Sequence, residues 1–418
     1  MLKASALVYA LFISLLLVSL GSAFIVLFNI NAVNTASWVE RERIKRNAMS
    51  GVVFLQGNDN VLINKSQVID LFENGNDSVH LTKKSWGAFE IDIAEAFSKH
   101  HRITNIALSG SGMGVESTMA LYLADKDKPL SLCGKTEIKG DCFIPKAGVK
   151  RAYIEGQNFI GSELINGKTN YSSKLVDKPN DIFIQIISKI FNGEELEHDS
   201  LIAIDQETLP DLKRSFLSNT IVLHASSILS IDNTKLSGNI MLISDKKIVI
   251  TPDAILNDII VCAPKVVVEN GFSGCIQIFA YDSVVVQEKT NLQYPSLIGL
   301  IRQKNSCQNT AIVLKEGVEV TGGVFAFDPT QEFNKQTIIT IDKDALVNGL
   351  VYTNGSLDLR GSVIGSVICS GFILNTPSSV YENHLLNASI DRTRLSKYFV
   401  TANLLKQTTN KKTVKWLY

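Results

Sequence analysis

The strongest constraint in this sequence is a repeat. Between Ile228 and Leu374, blocks near 18 residues long can be written one under another, starting at Ile228, Lys247, Lys265, Ser283, Ala311, Ile338 and Ser356. They open as Ile-Leu-Ser-Ile, Lys-Ile-Val-Ile, Lys-Val-Val-Val, Ser-Val-Val-Val, Ala-Ile-Val-Leu, Ile-Ile-Thr-Ile and Ser-Leu-Asp-Leu. The second positions are Leu229, Ile248, Val266, Val284, Ile312, Ile339 and Leu357. The fourth positions are Ile231, Ile250, Val268, Val286, Leu314, Ile341 and Leu359. All are aliphatic, and residues two apart on a strand share a face. Each block therefore offers one aliphatic pair to one side, too little to be stable alone. A second short strand follows about twelve residues into each block, as in Asp258–Cys262, Cys275–Phe279, Gly323–Phe327, Gly349–Tyr352 and Gly365–Cys369. Turn residues separate the strands, and polar excursions at 301–310 and 329–337 read as loops leaving at one corner.

Stacking such blocks in parallel, about 4.8 Å apart, lines the pairs into continuous ladders and lets each coil close its neighbour's hydrogen bonds. The expected fold is mainly β: a parallel β-solenoid (β-helix) of about seven coils. A β-sandwich would also place strands every 8–12 residues, but it does not call for matched whole blocks. Coils of this length resemble those of bactofilins, polymer-forming bacterial scaffolds with a triangular β-helix. The resemblance covers residues 228–374, together with 130–170, and implies a self-assembling scaffold. This chain differs by its anchor, an α+β region, its insertions and a longer C-terminal segment.

Ala4 to Phe28 is an uncharged, mostly apolar run. As a helix it would be about 37 Å long, enough to cross a hydrocarbon core of about 30 Å. A cleaved signal peptide is the competing reading, with Lys3 before the run and Gly21-Ser22-Ala23 as a cleavage site. The run continues through Phe24 to Phe28, longer than a signal h-region, which favours an uncleaved single-pass anchor. Val33 to Met49 has no Pro or Gly and can extend the helix. A long helix, half in the membrane and half the spine of a head, resembles pilin-like and pseudopilin-like subunits over the first 50 residues. It implies surface-appendage association and a body outside the cytoplasm, in the periplasm or at the cell surface. Arg41, Arg43, Lys45 and Arg46 pull the other way under the positive-inside rule.

The division expected is an anchor with helical extension over 1–50 and an α+β region over 51–129. A short solenoid-like segment over 130–174 and a helical insertion or linker over 175–220 follow. The solenoid itself occupies 221–375, and a C-terminal cap with basic tail occupies 376–418. In the α+β region, Val52–Leu55, Ser78–Leu81, Ile106–Leu108 and Ala120–Leu123 read as strands and Ile91–Phe97 as a helix. Over 130–170, Ile154, Ile160 and Asn166 fall six residues apart, the spacing of a triangular solenoid face. Asp181 to Phe191 has helical periodicity.

Chemistry is sparse. No P-loop, dinucleotide fingerprint or His-Glu-x-x-His motif occurs. Gly110-Ser111-Gly112-Met113-Gly114 lacks the Lys of a phosphate loop and reads as a turn. Of the six histidines, His80, His100, His101, His198, His224 and His384, only His100 and His101 are adjacent, and no metal or other cofactor is expected. Cys133 and Cys142 flank a Gly-containing hairpin and are the candidate disulfide. Cys262, Cys275 and Cys369 read as buried small hydrophobes. Asp358 with Arg360, and Asp342 with Lys343 and Asp344, are the candidates for a carbohydrate-active enzyme of the polysaccharide lyase or hydrolase type. Trp86, Tyr281, Phe325, Phe327 and Tyr352 are the candidates for a sugar-stacking surface.

The chain carries 41 basic and 41 acidic residues, which argues against nucleic acid as a partner. That neutrality is uneven. Residues 391–418 carry seven Lys or Arg and one Asp, leaving a mildly acidic remainder. Lys411, Lys412, Lys415 and Trp416 are candidates for contact with anionic lipid or an acidic partner. The reading that follows is a non-enzymatic envelope protein, held in the membrane by its N-terminal helix and joined to protein partners or to itself, with polysaccharide as a further partner class. The alternatives are the β-helix enzyme and a cytoplasmic bactofilin-like scaffold.

Overall fold

The computed structural model describes residues 4–58, 65–73, 75, 77–112, 118–192, 200–204, 209–303, 306–307, 309–330, 335–405 and 411–417. The chain is mainly β, with one long N-terminal helix, and divides into two compact units. The first comprises Met1–Leu55, Val61–Lys83 and Asp92–Ile106, and the second comprises Gln56–Asn60, Lys84–Ile91 and Ala107–Tyr418.

Helix α1 runs unbroken from Ala4 to Gly57, 54 residues and about 81 Å, with all but its last two residues in the first unit. It carries no charge before Glu40. From Ala6 to Ala36 every side chain is exposed except at Gly21, which is partly covered. This stretch is long and apolar enough to cross a membrane. Further on, Ile44, Ala48, Val52 and Leu55 recur at helical spacing and are fully buried. Val52–Leu55 is therefore helix and not the strand expected, because those residues complete a stripe begun at Ile44. Gly51 lets the helix lie close: a Cβ there would stand 2.8 Å from the Ala94 Cβ and 2.9 Å from Leu81. Buried Asp77 accepts from the Arg43 guanidinium at 3.0 Å and from the Asn47 amide at 3.3 Å. The Lys83 ammonium donates to the Leu55 carbonyl at 2.8 Å, satisfying a carbonyl of the last helical turn.

Ser66–Ile69 pairs antiparallel with Ser78–Trp86. Ile91–Phe97, expected as helix, lies within the strand Phe89–Phe97. Burial on both faces explains the misreading, since Ile91, Asp92, Ile93 and Ala94 are all buried and the alternation that marks a strand is lost. His100 and His101 sit in the turn before the strand Arg102–Gly112, not at a helix end.

The second unit is built on three parallel ladders. In one turn of chain, Lys235–Gly238 serves the first ladder, Ile240–Ser244 the second and Lys247–Ile250 the third. The next turn is a single bent strand, Ile255–Val268, that serves all three. Along the third ladder the residues opposite one another are Ile228, Lys247, Lys265, Ser283, Ala311, Ile338 and Ser356, the block starts read from the sequence. Ile248, Ile250, Val266, Val268, Val284, Val286, Ile312, Leu314, Ile339, Ile341, Leu357 and Leu359 are all at most 2% exposed. Burial of each such side chain stabilises by about 1.5–3 kcal/mol before entropy is counted.

The second ladder carries an equally continuous column. Leu223, Leu242, Val261, Ile278, Ile298, Val324, Val351 and Val367 stand in register and are buried. The column then passes from Val367 to Leu121 and from Leu121 to Cys142. In the first ladder Val363 pairs with Ile390, and Ile390 with Ile138. The order along the stack is thus not the order of the chain. The strands paired next to those of residues 362–391 come from residues 119–139, and those paired next to these from 141–171. The far end of the stack holds Ser200–Ala203 and Leu212–Arg214.

Three expectations change. The 130–174 segment begins earlier, at Met119, and continues the main ladders. Residues 200–214, expected as part of a helical insertion, contribute two strands, and the helix of that region is α2 (Asp181–Asn192). In residues 376–391, expected as a cap, Val380–Glu382 turns back antiparallel on Ile373–Asn375, while His384–Leu386 and Ser389–Asp391 pair in parallel with their neighbours. Of the six-residue series, Ile154 is buried, Ile160 is exposed and Asn166 bridges Lys139, so it does not mark one inward face.

Between the first and second ladders the chain turns a tight corner. Gly322, Gly349 and Gly365 stack there in register, with φ of 142°, 141° and 147°. A Cβ on Gly349 would lie 2.0 Å from the Gly322 carbonyl oxygen, so only glycine fits. The excursions near 301–310 and 329–337 both leave at the corner between the second and third ladders.

Candidate functional site

The two ends of the stack differ. At one end lie Ser200–Ala203, Leu212–Arg214 and Ile228–Ile231, each paired in parallel with a single strand. Among the described residues nothing pairs with their outer edges. Leu201, Ile202, Leu217 and Ile228 are 56%, 46%, 56% and 60% exposed there. Unpaired backbone beside exposed aliphatic side chains is a template for another β edge.

The other end is plugged. Val149–Arg151 and Thr169–Tyr171 are its last strands, but Phe159, Leu164 and Ile165 fold over the core. Arg151 holds the plug: its guanidinium lies 5.8 Å from the Phe159 ring centre and donates to the Ser162 carbonyl at 3.3 Å. A small antiparallel pairing of Tyr153–Ile154 with Gln157–Asn158 closes the turn.

The corner excursions are fastened by Arg302, which is 1% exposed. Its guanidinium donates to the Gln336 carbonyl at 3.2 Å and to the Cys307 carbonyl, and lies 3.8 Å from the Asp328 carboxylate. Asn354 exchanges hydrogen bonds with the Asp328 backbone at 2.7 and 2.8 Å. The loop bases are thereby fixed to the next coil. Residues 304–305, 308 and 331–334 lie outside the described residues, as do Met113, Gly114 and His198.

The residues singled out for enzymatic chemistry are held in ion pairs. Asp358 is 1% exposed and takes a two-pronged contact from Arg360 at 2.7 and 3.1 Å. That contact holds the Arg360 guanidinium above its ordinary pKa. Asp342 faces Lys315 at 3.6 Å, and Asp344 faces Lys343 at 3.8 Å. Lys343, Asp344 and Arg360 do line one open cleft of about 420 Å³ with Asn375 and Asn387. His224 binds Asp245 at 2.9 Å, and His101 contacts the Ser37 hydroxyl at 3.0 Å.

Cys133 and Cys142 are both free, so the expected disulfide is not formed. They stand on different ladders: Cys133 pairs with Leu386 and Cys142 with Leu121. Cys133 donates to the Gln157 carbonyl. Burial pushes the thiols of Cys142, Cys275 and Cys369 up to about 12, which leaves them unreactive as nucleophiles at neutral pH.

The basic tail is built into a sheet. Lys411–Leu417 is a strand that joins the one ending at Gly112, and the Gln56 amide ties Ser109 to Thr413 at 2.9 and 2.8 Å. Lys411 pairs with Glu90 at 2.9 Å, and Lys415 pairs with Asp258. Of the four candidate contact residues, which include Lys412, Trp416 is the exposed one.

The aromatic candidates do not form an open surface. Phe325 and Tyr352 are fully buried, and α2 covers this face with Phe183, whose ring centre is 5.3 Å from that of Phe325. Tyr281 meets Phe191 of α2 edge-on at 5.4 Å, and Trp86 meets Phe216 at 5.3 Å. Sequence reading passed over Tyr122 and Phe143, which continue the same row of outward side chains. Only the pairing of Ile368 with Tyr122 reveals this, and those residues are far apart in the chain.

No family model matches the chain, and no characterised protein matches it in sequence. Among solved structures, the competence-associated pilin ComZ from Thermus thermophilus aligns with 87% of this chain and 89% of its own, at 10% identity and a TM-score of 0.27. A superposition that loose says nothing about shared fold or role.

Proposed function

We propose that this chain is a non-enzymatic, membrane-anchored envelope protein that works by joining other proteins, copies of itself foremost, through the open end of a parallel β-solenoid. The solenoid has about seven coils over residues 221–375, and the neighbouring segments extend it. The anchor is the exposed apolar part of α1, and the body lies outside the cytoplasm, as in a pilin-like surface subunit.

One observation carries this reading: among the described residues, Ser200–Ala203, Leu212–Arg214 and Ile228–Ile231 each pair on one side only, and Leu201, Ile202 and Ile228 on them are exposed. A soluble monomer usually protects such an edge with charge, proline or a covering loop. Leu209 packs on the core at this end as Phe159 does at the other, so the reading rests on the strand edges and not on an uncovered core. The test is sedimentation of the full chain in detergent, wild type against Leu201→Lys with Ile228→Lys. The wild type is expected to form dimers or larger species and the double variant monomers. A monomeric wild type at all concentrations would sink the proposal. Protease added to intact spheroplasts checks the side of the membrane: cleavage of the body supports an extracytoplasmic location, and full protection supports the cytoplasmic scaffold.

A further inference from the structure

The outward side chains of the second ladder form an aromatic row. Phe279, Phe325 and Tyr352 occupy it under α2 and the segment leading into it, and the Tyr352 hydroxyl donates to the Asp177 carbonyl at 2.7 Å. Beyond Ile368 the row continues to Tyr122 and Phe143, where it is only half covered. A cleft of about 680 Å³ opens at that point. We propose that this cleft binds a glycan chain, with successive sugar rings stacked on Tyr122 and Phe143. The inference goes beyond the anchoring and assembly role and rests on different residues.

Three features favour a glycan. First, Tyr122 and Phe143 both line the cleft, with ring centres 5.8 Å apart and planes inclined by 30°, and together make its aromatic floor. Their spacing follows the ladder step of about 4.8 Å, comparable to the advance of a β-linked hexose. The apolar faces of pyranose rings pack on such a floor. Second, the floor is fixed before any ligand arrives. The Tyr122 hydroxyl bonds the Ser173 hydroxyl at 2.7 Å and accepts from the Ser173 N–H at 3.1 Å. A pre-ordered ring loses little rotamer freedom on binding. Third, the rim carries the exposed carboxylates of Asp177 and Asp181 and the ammonium of Lys178, acceptors and a donor for sugar hydroxyls.

Other occupants fit less well. An acyl chain would meet a charged rim and tyrosine hydroxyls. An extended peptide would seek a free strand edge, but Met119–Leu123 is already paired on both sides, with Ser362–Asn375 and with Asp141–Ile144.

The experiment is calorimetric titration of the full chain, held in a detergent without a sugar headgroup, with hexasaccharides of β-1,4-linked N-acetylglucosamine and of β-1,4-linked glucose. Wild type is expected to bind at least one of them. Tyr122→Ala and Phe143→Leu are expected to weaken that binding about tenfold or more, while Phe143→Tyr retains it. Phe143→Leu keeps apolar bulk without an aromatic face, and unchanged thermal unfolding of that variant shows that the stack is intact. Failure of the wild type to bind either sugar would overturn the proposal. So would unchanged affinity in Phe143→Leu, or competition for the cleft by a fatty acid or an extended peptide in place of the sugars.

Discussion

Residues 228–374 and residues 119–171 build the same ladders by opposite routes. In the first region each strand finds its partner one block away, as Lys247 finds Lys265. In the second, Leu121 finds Val367 and Ile138 finds Ile390, from the other end of the sequence. The buried columns look alike across the join, yet the loop closed to make it is far longer. Loop closure grows only slowly with length, so such a join is affordable in stability. Its cost falls on folding, where distant strands pair late. The comparison teaches that a ladder needs matched inward side chains and a free edge, not neighbours in sequence.

A charge in the shared column should have the largest effect. Val351→Asp places a carboxylate where the side chain is fully buried, at a cost of several kcal/mol. We expect loss of the ordered stack in both regions, read as collapse of the cooperative unfolding transition. Survival of the 119–171 coils in limited proteolysis of that variant would show the two regions to be independent. Next come Leu121→Ala and Leu242→Ala, one from each region and both fully buried. Each should cost about 2–5 kcal/mol in urea unfolding. A markedly smaller loss for Leu121→Ala would mean that the early segment only decorates the stack. Gly349→Ala should cost about 1–3 kcal/mol, because its φ of 141° and the Gly322 carbonyl leave no room for a Cβ.

The smallest effect is one of pH. Asp125 accepts backbone N–H groups of Asp127 and Lys146, and Asp141 accepts from the Thr118 hydroxyl and the Lys168 N–H. These bonds hold both carboxyls below the usual value. A lowered folded pKa stabilises above the unfolded pKa, near 3.8, and that stability is lost as pH falls through the folded value. Hydrogen exchange at pH 3 against pH 6, corrected for intrinsic rates, should therefore loosen 119–171 before 228–374. Uniform loosening would contradict the assignment.

The pairing of strands within 228–374 was legible because its register is written locally. Positions two and four of each block are aliphatic, and the turns between them carry glycine, asparagine or proline. The early coils were illegible for the reverse reason. Leu121 and Cys142 look like any buried pair until Val367 is placed beside them. Local pattern also misled where burial was two-sided. Ile91–Phe97 matched helical spacing although its strand is covered on both faces, and Val52–Leu55 looked like a strand although it closes the stripe of α1. The cleft over Tyr122 and Phe143 was hidden with the coils that form it. The tail was read from its charge alone, and Glu90 and Asp258, which take up Lys411 and Lys415, are distant in sequence.

The order of the ladders, with strands of 119–139 paired directly to strands of 362–391, can be tested at one join. Glu137 and Ser389 are ladder partners at that join, and neither is buried. Cysteines on paired strands come within disulfide reach. In a Cys307→Ser background, which removes the exposed thiol, Glu137→Cys with Ser389→Cys should form an intrachain disulfide under mild oxidation. A gel-mobility shift should report it as readily as for the control pair Lys247→Cys with Lys265→Cys. The account predicts both crosslinks, and both lost when the chain is oxidised unfolded in urea. A crosslink in the control pair with none between residues 137 and 389 would contradict it.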